Sequence, residues 1–162
     1  MTSALEIRAT EVLSALDARG LKAVTAESCT GGMVAAALTA IAGSSSVMER
    51  GFVTYSNEAK TEMLGVPPEL IEAHGAVSEP VARAMAEGAL THSRAQVAVA
   101  ITGIAGPGGG TNDKPVGLVH FARAALGEPT IHHAEVFAGD RGAVRLAAAM
   151  TALNLLSPPP PT

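Results

Sequence analysis

The chain is poor in aromatic residues: among 162 residues there are three phenylalanines, one tyrosine and no tryptophan. Its core must therefore be built from Ala, Val, Leu and Met, and a bound ring would find few side chains on which to stack. A single cysteine excludes an intramolecular disulfide and a multi-cysteine metal site. There is no excess of positive charge either. Eleven Lys and Arg stand against 15 Asp and Glu, a net charge of −4, which argues against a nucleic-acid surface because phosphate backbones need clustered cations. No long apolar run occurs. The first 20 residues, "MTSALEIRATEVLSALDARG", intersperse charges among apolar residues, so neither a signal peptide nor a membrane span is expected, and the cytoplasm is the expected location. The five histidines show no metal-ligand spacing, and His132 and His133, adjacent on an expected strand, would point to opposite sides. Neither a metal nor another cofactor is expected.

What the chain does contain is a folding pattern. Hydrophobic residues make up 48% and charged residues 16%, enough to bury the core of one ordinary domain. Ser3 followed by Glu6 resembles a capping box ahead of Leu5, Val12, Leu13 and Leu16 at helical spacing, with Gly20 as a stop. "KAVTA", "ERGFVTYS" and "AQVAVAITG" read as strands. "VGLVHFARA" and "IHHAEVFAG" read as a hairpin joined at Gly127 to Pro129. Helices are expected from Thr30 to near Gly43, from Asn57 to "LGVPP", over Pro68 to His74, after Ser78, and after Asp140. "AQVAVAITG" is apolar on both faces, as a strand covered on both sides would be. These elements predict an α/β protein: a three-layer α/β/α single domain over residues 1–156 with a mixed, mostly parallel sheet of about five strands, followed by a disordered Pro-rich tail, 157–162. An Ala-rich fold with an apolar hairpin edge is compatible with a homodimer.

Three loops carry chemistry-bearing residues. In "TAESCTGG", Glu27, Ser28, Cys29 and Thr30 fall between a strand and a helix opening at Gly31 and Gly32. Ligands collect at such strand ends, and free N–H groups at Thr30, Gly31 and Gly32 would attract an anion or activate a Ser28 or Cys29 nucleophile. The plainer reading is that Ser28 and Thr30 cap the helix. In "TYSNEAK", Tyr55 and Lys60 would share the next strand-end crevice, and a lysine desolvated near a helix N-terminus would serve as a base. The alternative is a surface lysine beside an interfacial tyrosine. In "ITGIAGPGGGTNDKPVG", Thr102, Gly103, Gly106, Gly108 and Gly109 follow the most apolar strand, with Lys114 beyond them. This loop matches neither a Walker P-loop nor a dinucleotide fingerprint, and it either wraps a ligand or is a plain surface loop. Arg141, beside Asp140, either reaches a phosphate or is solvated.

Taken together and in order, "TAESCTGG", "TYSNEAK" with its downstream "LGV", "HGAVSEPVA", "TGIAGPGGGT" with "KPVG", and "F-x-GDR" resemble the CinA C-terminal domain family in its stand-alone form, along nearly the whole chain. The resemblance implies a metal-free amidohydrolase of pyridine nucleotide salvage that converts nicotinamide mononucleotide (NMN) and water to nicotinate mononucleotide and ammonia. It implies Ser28 as nucleophile with Tyr55 and Lys60 as its helpers. The ribose phosphate would lie on the glycine-rich loop near Thr102, Lys114 or Arg141. Glu27 would contact the ribose or the amide nitrogen, or orient Lys60. A regulatory module that binds the nucleotide without turnover is the competing reading.

Overall fold

Residue size sorts the two faces of the sheet. In β3 (Val97–Gly103), Val97, Val99 and Ile101 pack into one core, while Ala98 and Ala100 pack into the other. The alternation is the period-2 signature of a strand buried on both sides. The structure is a computed structural model that describes residues 2–158. Residues 159–162 of the expected tail lie outside the described residues.

β1 (Ala23–Glu27) pairs in parallel with β2 (Met48–Val53) on one side and with β3 on the other. β3 pairs antiparallel with β4 (Leu118–Ala125), which pairs antiparallel with β5 (Ile131–Val136). The order is β2-β1-β3-β4-β5, so four strands point one way and β4 alone runs back. This is the expected mixed five-stranded sheet. α1 (Ala4–Ala18), α2 (Met33–Thr39) and α6 (Arg141–Leu156) supply the larger-residue core on one face. α3 (Asn57–Leu64), α4 (Pro68–His74) and α5 (Glu79–Thr91) pack on the alanines of the other. Among the described residues no helix is long and apolar enough to cross a membrane.

Several helix starts follow the sequence directly. Ser3 Oγ accepts from Glu6 N–H at 3.2 Å, and Asp140 Oδ1 accepts from Ala143 N–H at 2.9 Å. Others differ. Ser56, not Asn57, caps α3 by accepting from Ala59 N–H at 3.0 Å. Ser78 precedes α5 but donates its hydroxyl to the Gly75 carbonyl at 2.7 Å instead of capping. α2 begins three residues after Thr30, because Gly31 (φ +58°) and Gly32 (φ +108°) both take left-handed backbone. That conformation favours glycine and interrupts a helix.

α5 lies close enough to α3 that a Cβ on Gly88 would collide with the Leu64 carbonyl oxygen. Alanine is the better helix former by about 1 kcal/mol, yet the forced overlap is an overpacking that costs about 1–3 kcal/mol. Gly88→Ala is therefore expected to lower stability in urea unfolding, against the helix-propensity trend.

Candidate active site

The two helices that follow neighbouring strands leave the sheet on opposite faces: α2, after β1, on the α6 side, and α3, after β2, on the α5 side. The chain parts at the carboxyl ends of β1 and β2, the position where open α/β sheets form their ligand crevices. A cavity of about 220 Å³ opens there. It is lined by Ser28 and Cys29 after β1, Tyr55, Asn57 and Lys60 after β2, Thr102, Gly103 and Ala105 at the end of β3, Ala76 and Val77 before α5, and Arg141 at the start of α6. A larger groove of about 380 Å³ runs between α3 and α4, but its charged groups are the carboxylates of Glu58, Glu62 and Glu72. Those would repel an anion, so the smaller cavity, with its lysine and arginine, is the candidate site.

Lys60 is 1% exposed, and its side chain folds back over the entry to its own helix. Nζ lies 3.1 Å from Ser28 Oγ and donates to the carbonyls of Thr54 at 2.9 Å and Tyr55 at 3.2 Å, with the Ser56 carbonyl at 3.4 Å. Burial holds its pKa below the ordinary lysine value of 10.5. A neutral amine has two N–H groups and one lone pair. As an ammonium, Nζ donates to Ser28 Oγ as well as to the carbonyls. On losing its proton it would keep two N–H groups for the Thr54 and Tyr55 carbonyls and turn its lone pair to the Ser28 hydroxyl proton.

Glu27 is fully buried, and its role is to start α2. Oε1 accepts from Val34 N–H at 3.0 Å and Oε2 from Ala35 N–H at 3.1 Å. Gly32 precedes that first turn and has no side chain for capping, so the strand-end carboxylate takes over the role. The helix N-terminus expected to attract a ligand anion is thus filled by the protein's own anion. The expectation that Ser28 or Thr30 caps this helix also fails, because α2 starts at Met33 and Glu27 holds its amides.

Residues 28–31 form a turn closed by Gly31 N–H on the Ser28 carbonyl at 3.0 Å. They are not extended, so Ser28 and Cys29 both border the cavity, contrary to the alternation expected of a strand. Cys29 is nevertheless a core residue, 6% exposed and packed among α1, α2 and α6. Burial pushes its thiol up to about 11, so it is protonated and unreactive at neutral pH.

At the mouth, Tyr55 is 62% exposed. Arg141 donates Nη1 to the Gly106 carbonyl at 2.8 Å and Nη2 to the Tyr55 hydroxyl at 3.3 Å, tying the glycine-rich loop to the other rim. Thr102 donates its hydroxyl to the Ala76 carbonyl at 2.9 Å. Thr30, Gly31, Gly32, Gly106, Gly108, Gly109 and Lys114 are not among the lining residues; Lys114 Nζ is engaged by the His74 carbonyl. The sequence reading missed Asn57, Ala76 and Val77, which carry no chemical signal of their own. It also missed Arg145 of α6, which grips the Cys29 and Thr30 carbonyls. Two of the histidines that look scattered in sequence are brought together by cross-strand register: His120 Nδ1 lies 2.8 Å from His132 Nε2. Among the described residues no group of three or more His, Cys, Asp or Glu could hold a metal ion.

Known proteins similar in sequence and fold point to one family. The family model described as CinA C-terminal domain matches residues 5–158. A relative in Escherichia coli strain K12, the nicotinamide-nucleotide amidohydrolase PncC, is 58% identical over 146 residues, covering 90% of this chain and 88% of its own. A CinA-like protein of Anaeromyxobacter dehalogenans is 57% identical over 146 residues but is covered over only 35% of its length. Among solved structures, the competence/damage inducible protein CihA from Agrobacterium tumefaciens superposes with a TM-score of 0.93 at 51% identity, covering 96% of this chain and 95% of that one.

The protonated, buried thiol sets one expectation. At pH 8 the folded protein should resist iodoacetamide at Cys29, whereas protein unfolded in guanidinium should be alkylated within minutes, as read by intact mass.

Proposed function

The chain belongs to the CinA C-terminal domain family, and on that premise we propose that it hydrolyses the carboxamide of NMN to nicotinate mononucleotide and ammonia, with Ser28 as nucleophile and Lys60 as its base. That it is a hydrolase acting on a carboxamide rests on its 58% identity with the E. coli nicotinamide-nucleotide amidohydrolase. The assignment of Ser28 rests on one observation: the buried Lys60 amine 3.1 Å from its hydroxyl oxygen.

The reaction proceeds in two halves. Ser28 Oγ bonds to the amide carbon as its proton passes to the Lys60 lone pair. The oxyanion is received by backbone N–H groups of the turn that carries Ser28, which borders the cavity at Ser28 and Cys29. The C–N bond then breaks, the proton returns from Lys60 to the leaving nitrogen, and ammonia departs. Water attacks the ester carbon and gives a proton to Lys60. The Ser28 Oγ–carbon bond then breaks as Lys60 returns that proton to Oγ, which restores the serine hydroxyl and the free amine. Nicotinate mononucleotide is released, its carboxyl proton passing to solvent. The pyridinium nitrogen withdraws electrons from the carbonyl, which makes the amide easier to attack. Tyr55 and Arg141 act at the mouth, where Arg141 is the cation placed to meet the phosphate. Direct transfer to Lys60 is favoured over a relay through Tyr55, since the phenol meets Arg141 and only the Tyr55 carbonyl meets Lys60. Such a reaction belongs to pyridine nucleotide salvage.

Ammonia release from NMN tests the reading. Lys60→Met should lose about 10²–10⁴-fold in kcat, Ser28→Ala about 10³-fold or more, and Tyr55→Phe about tenfold, the worth of one hydrogen bond. Full activity in Ser28→Ala would sink the nucleophile assignment. NMN binding without ammonia release would make the chain a nucleotide-binding module instead. The pH profile has a definite sign. Ammonium Lys60 has no lone pair, so kcat/KM should rise with pH through the Lys60 pKa, with the midpoint of the rise below 10.5.

A further inference from the structure

Arg145 and Arg141 stand four residues apart on α6 and so project from the same side of the helix. Arg141 reaches the cavity mouth, whereas Arg145 reaches the turn that carries Ser28. Its Nε donates to the Cys29 carbonyl at 3.0 Å and its Nη2 to the Thr30 carbonyl at 3.2 Å. No carboxylate pairs with it among the ion pairs of the described residues. The planar guanidinium fork therefore acts on two successive carbonyls of one turn, which an ammonium group could not span in the same way.

We propose that Arg145 is a positioning residue for the nucleophile. Resting on the function proposed above, the inference assigns it the task of locking the 28–31 turn so that Ser28 Oγ and the turn's amides stay aligned for the tetrahedral intermediate. Each peptide of the turn has an anchor. Ser28 N–H donates to the Ile101 carbonyl at 2.9 Å, the Ser28 carbonyl accepts from Gly31 at 3.0 Å, and Arg145 takes the next two carbonyls. In a planar trans peptide the N–H points opposite to the C=O. Holding the Cys29 carbonyl therefore also holds the Thr30 N–H. Gly31 fits the same design. A Cβ there would come within 3.3 Å of Arg145 Nη2, and its φ of +58° suits glycine. Glu27 anchors the far end of the segment through Val34 and Ala35. The turn is thus fixed on the strand side by β3, on the helix side by Glu27 and from behind by Arg145. Arg145 is not among the residues that line the cavity, so it acts through the backbone without touching substrate.

The test measures kcat and KM for NMN in wild type, Arg145→Ala and Arg145→Lys, with thermal melts alongside. Misplacing a reacting group by about 1 Å costs about 10²-fold in rate. Arg145→Ala should accordingly lose about 10²-fold in kcat with KM within about threefold of wild type. Millimolar guanidinium ion should restore part of the lost kcat, and Arg145→Lys, able to reach one carbonyl, should fall between. An effect on stability alone would leave kcat of the folded fraction unchanged and would overturn the proposal, as would a loss confined to KM or the absence of guanidinium rescue. Should Arg145→Ala not fold, Arg145→Lys decides: wild-type kcat in that variant overturns the proposal. An active wild type with undiminished Arg145 variants refutes the positioning role alone. A wild type that releases no ammonia refutes the functional reading and this proposal with it.

Discussion

A lysine amine sealed from water against a serine hydroxyl is the constraint around which the rest of the structure is arranged. Removing an ammonium group from water costs several kcal/mol even after relaxation, so the fold must either neutralise it or surround it with acceptors. It does both. The Thr54, Tyr55 and Ser56 carbonyls supply acceptors at the entry to α3, and burial lowers the amine's affinity for a proton. Nζ also meets Ser28 Oγ at 3.1 Å, so the amine, once deprotonated, turns its lone pair to that hydroxyl.

Bringing these two groups together requires the separation of α2 and α3 onto opposite faces, and each neighbouring element serves that geometry. β1 and β2 end side by side, which sets Ser28 and the segment 54–56 at one crevice. Glu27 uses its carboxylate to start α2 at Met33, which frees residues 28–31 to form a turn instead of a helical one. On the α5 side, Ala26, Ala98, Ala100, Ala122 and Ala124 make a low surface, and α5 settles on it closely enough that Gly88 touches α3. The loop before α5 thereby delivers Ala76 and Val77 to the cavity wall. Scarcity of aromatic residues is the same fact seen in composition: small side chains allow close layers.

Much of this was legible in the sequence. The double-faced apolar run became β3, the late hairpin became β4 and β5, and Ser3 and Asp140 cap their helices. At the site, Ser28, Tyr55 and Lys60 are brought to one cavity, as the strand-to-helix punctuation implied. What escaped depended on backbone direction, which residue types do not report. Two left-handed glycines delayed α2, and a carboxylate one strand-end away filled its N-terminus, so the anion site expected at Thr30 to Gly32 is occupied by Glu27. Lys114 looked like a ligand cation from its place beside a glycine-rich loop, but its reach to the His74 carbonyl is a tertiary contact with no local signature. Arg145 was invisible for a similar reason: its partners are carbonyls 116 and 115 residues away.

The central claim is that Ser28, activated by Lys60, takes the acyl group. Rapid quenching of the enzyme with NMN, followed by peptide mass mapping, tests it most directly. The account predicts a nicotinate-mononucleotide ester on Ser28 in wild type and in Cys29→Ala, and none in Lys60→Met. Ammonia release with no ester on Ser28, or with the acyl group on Cys29, would contradict it.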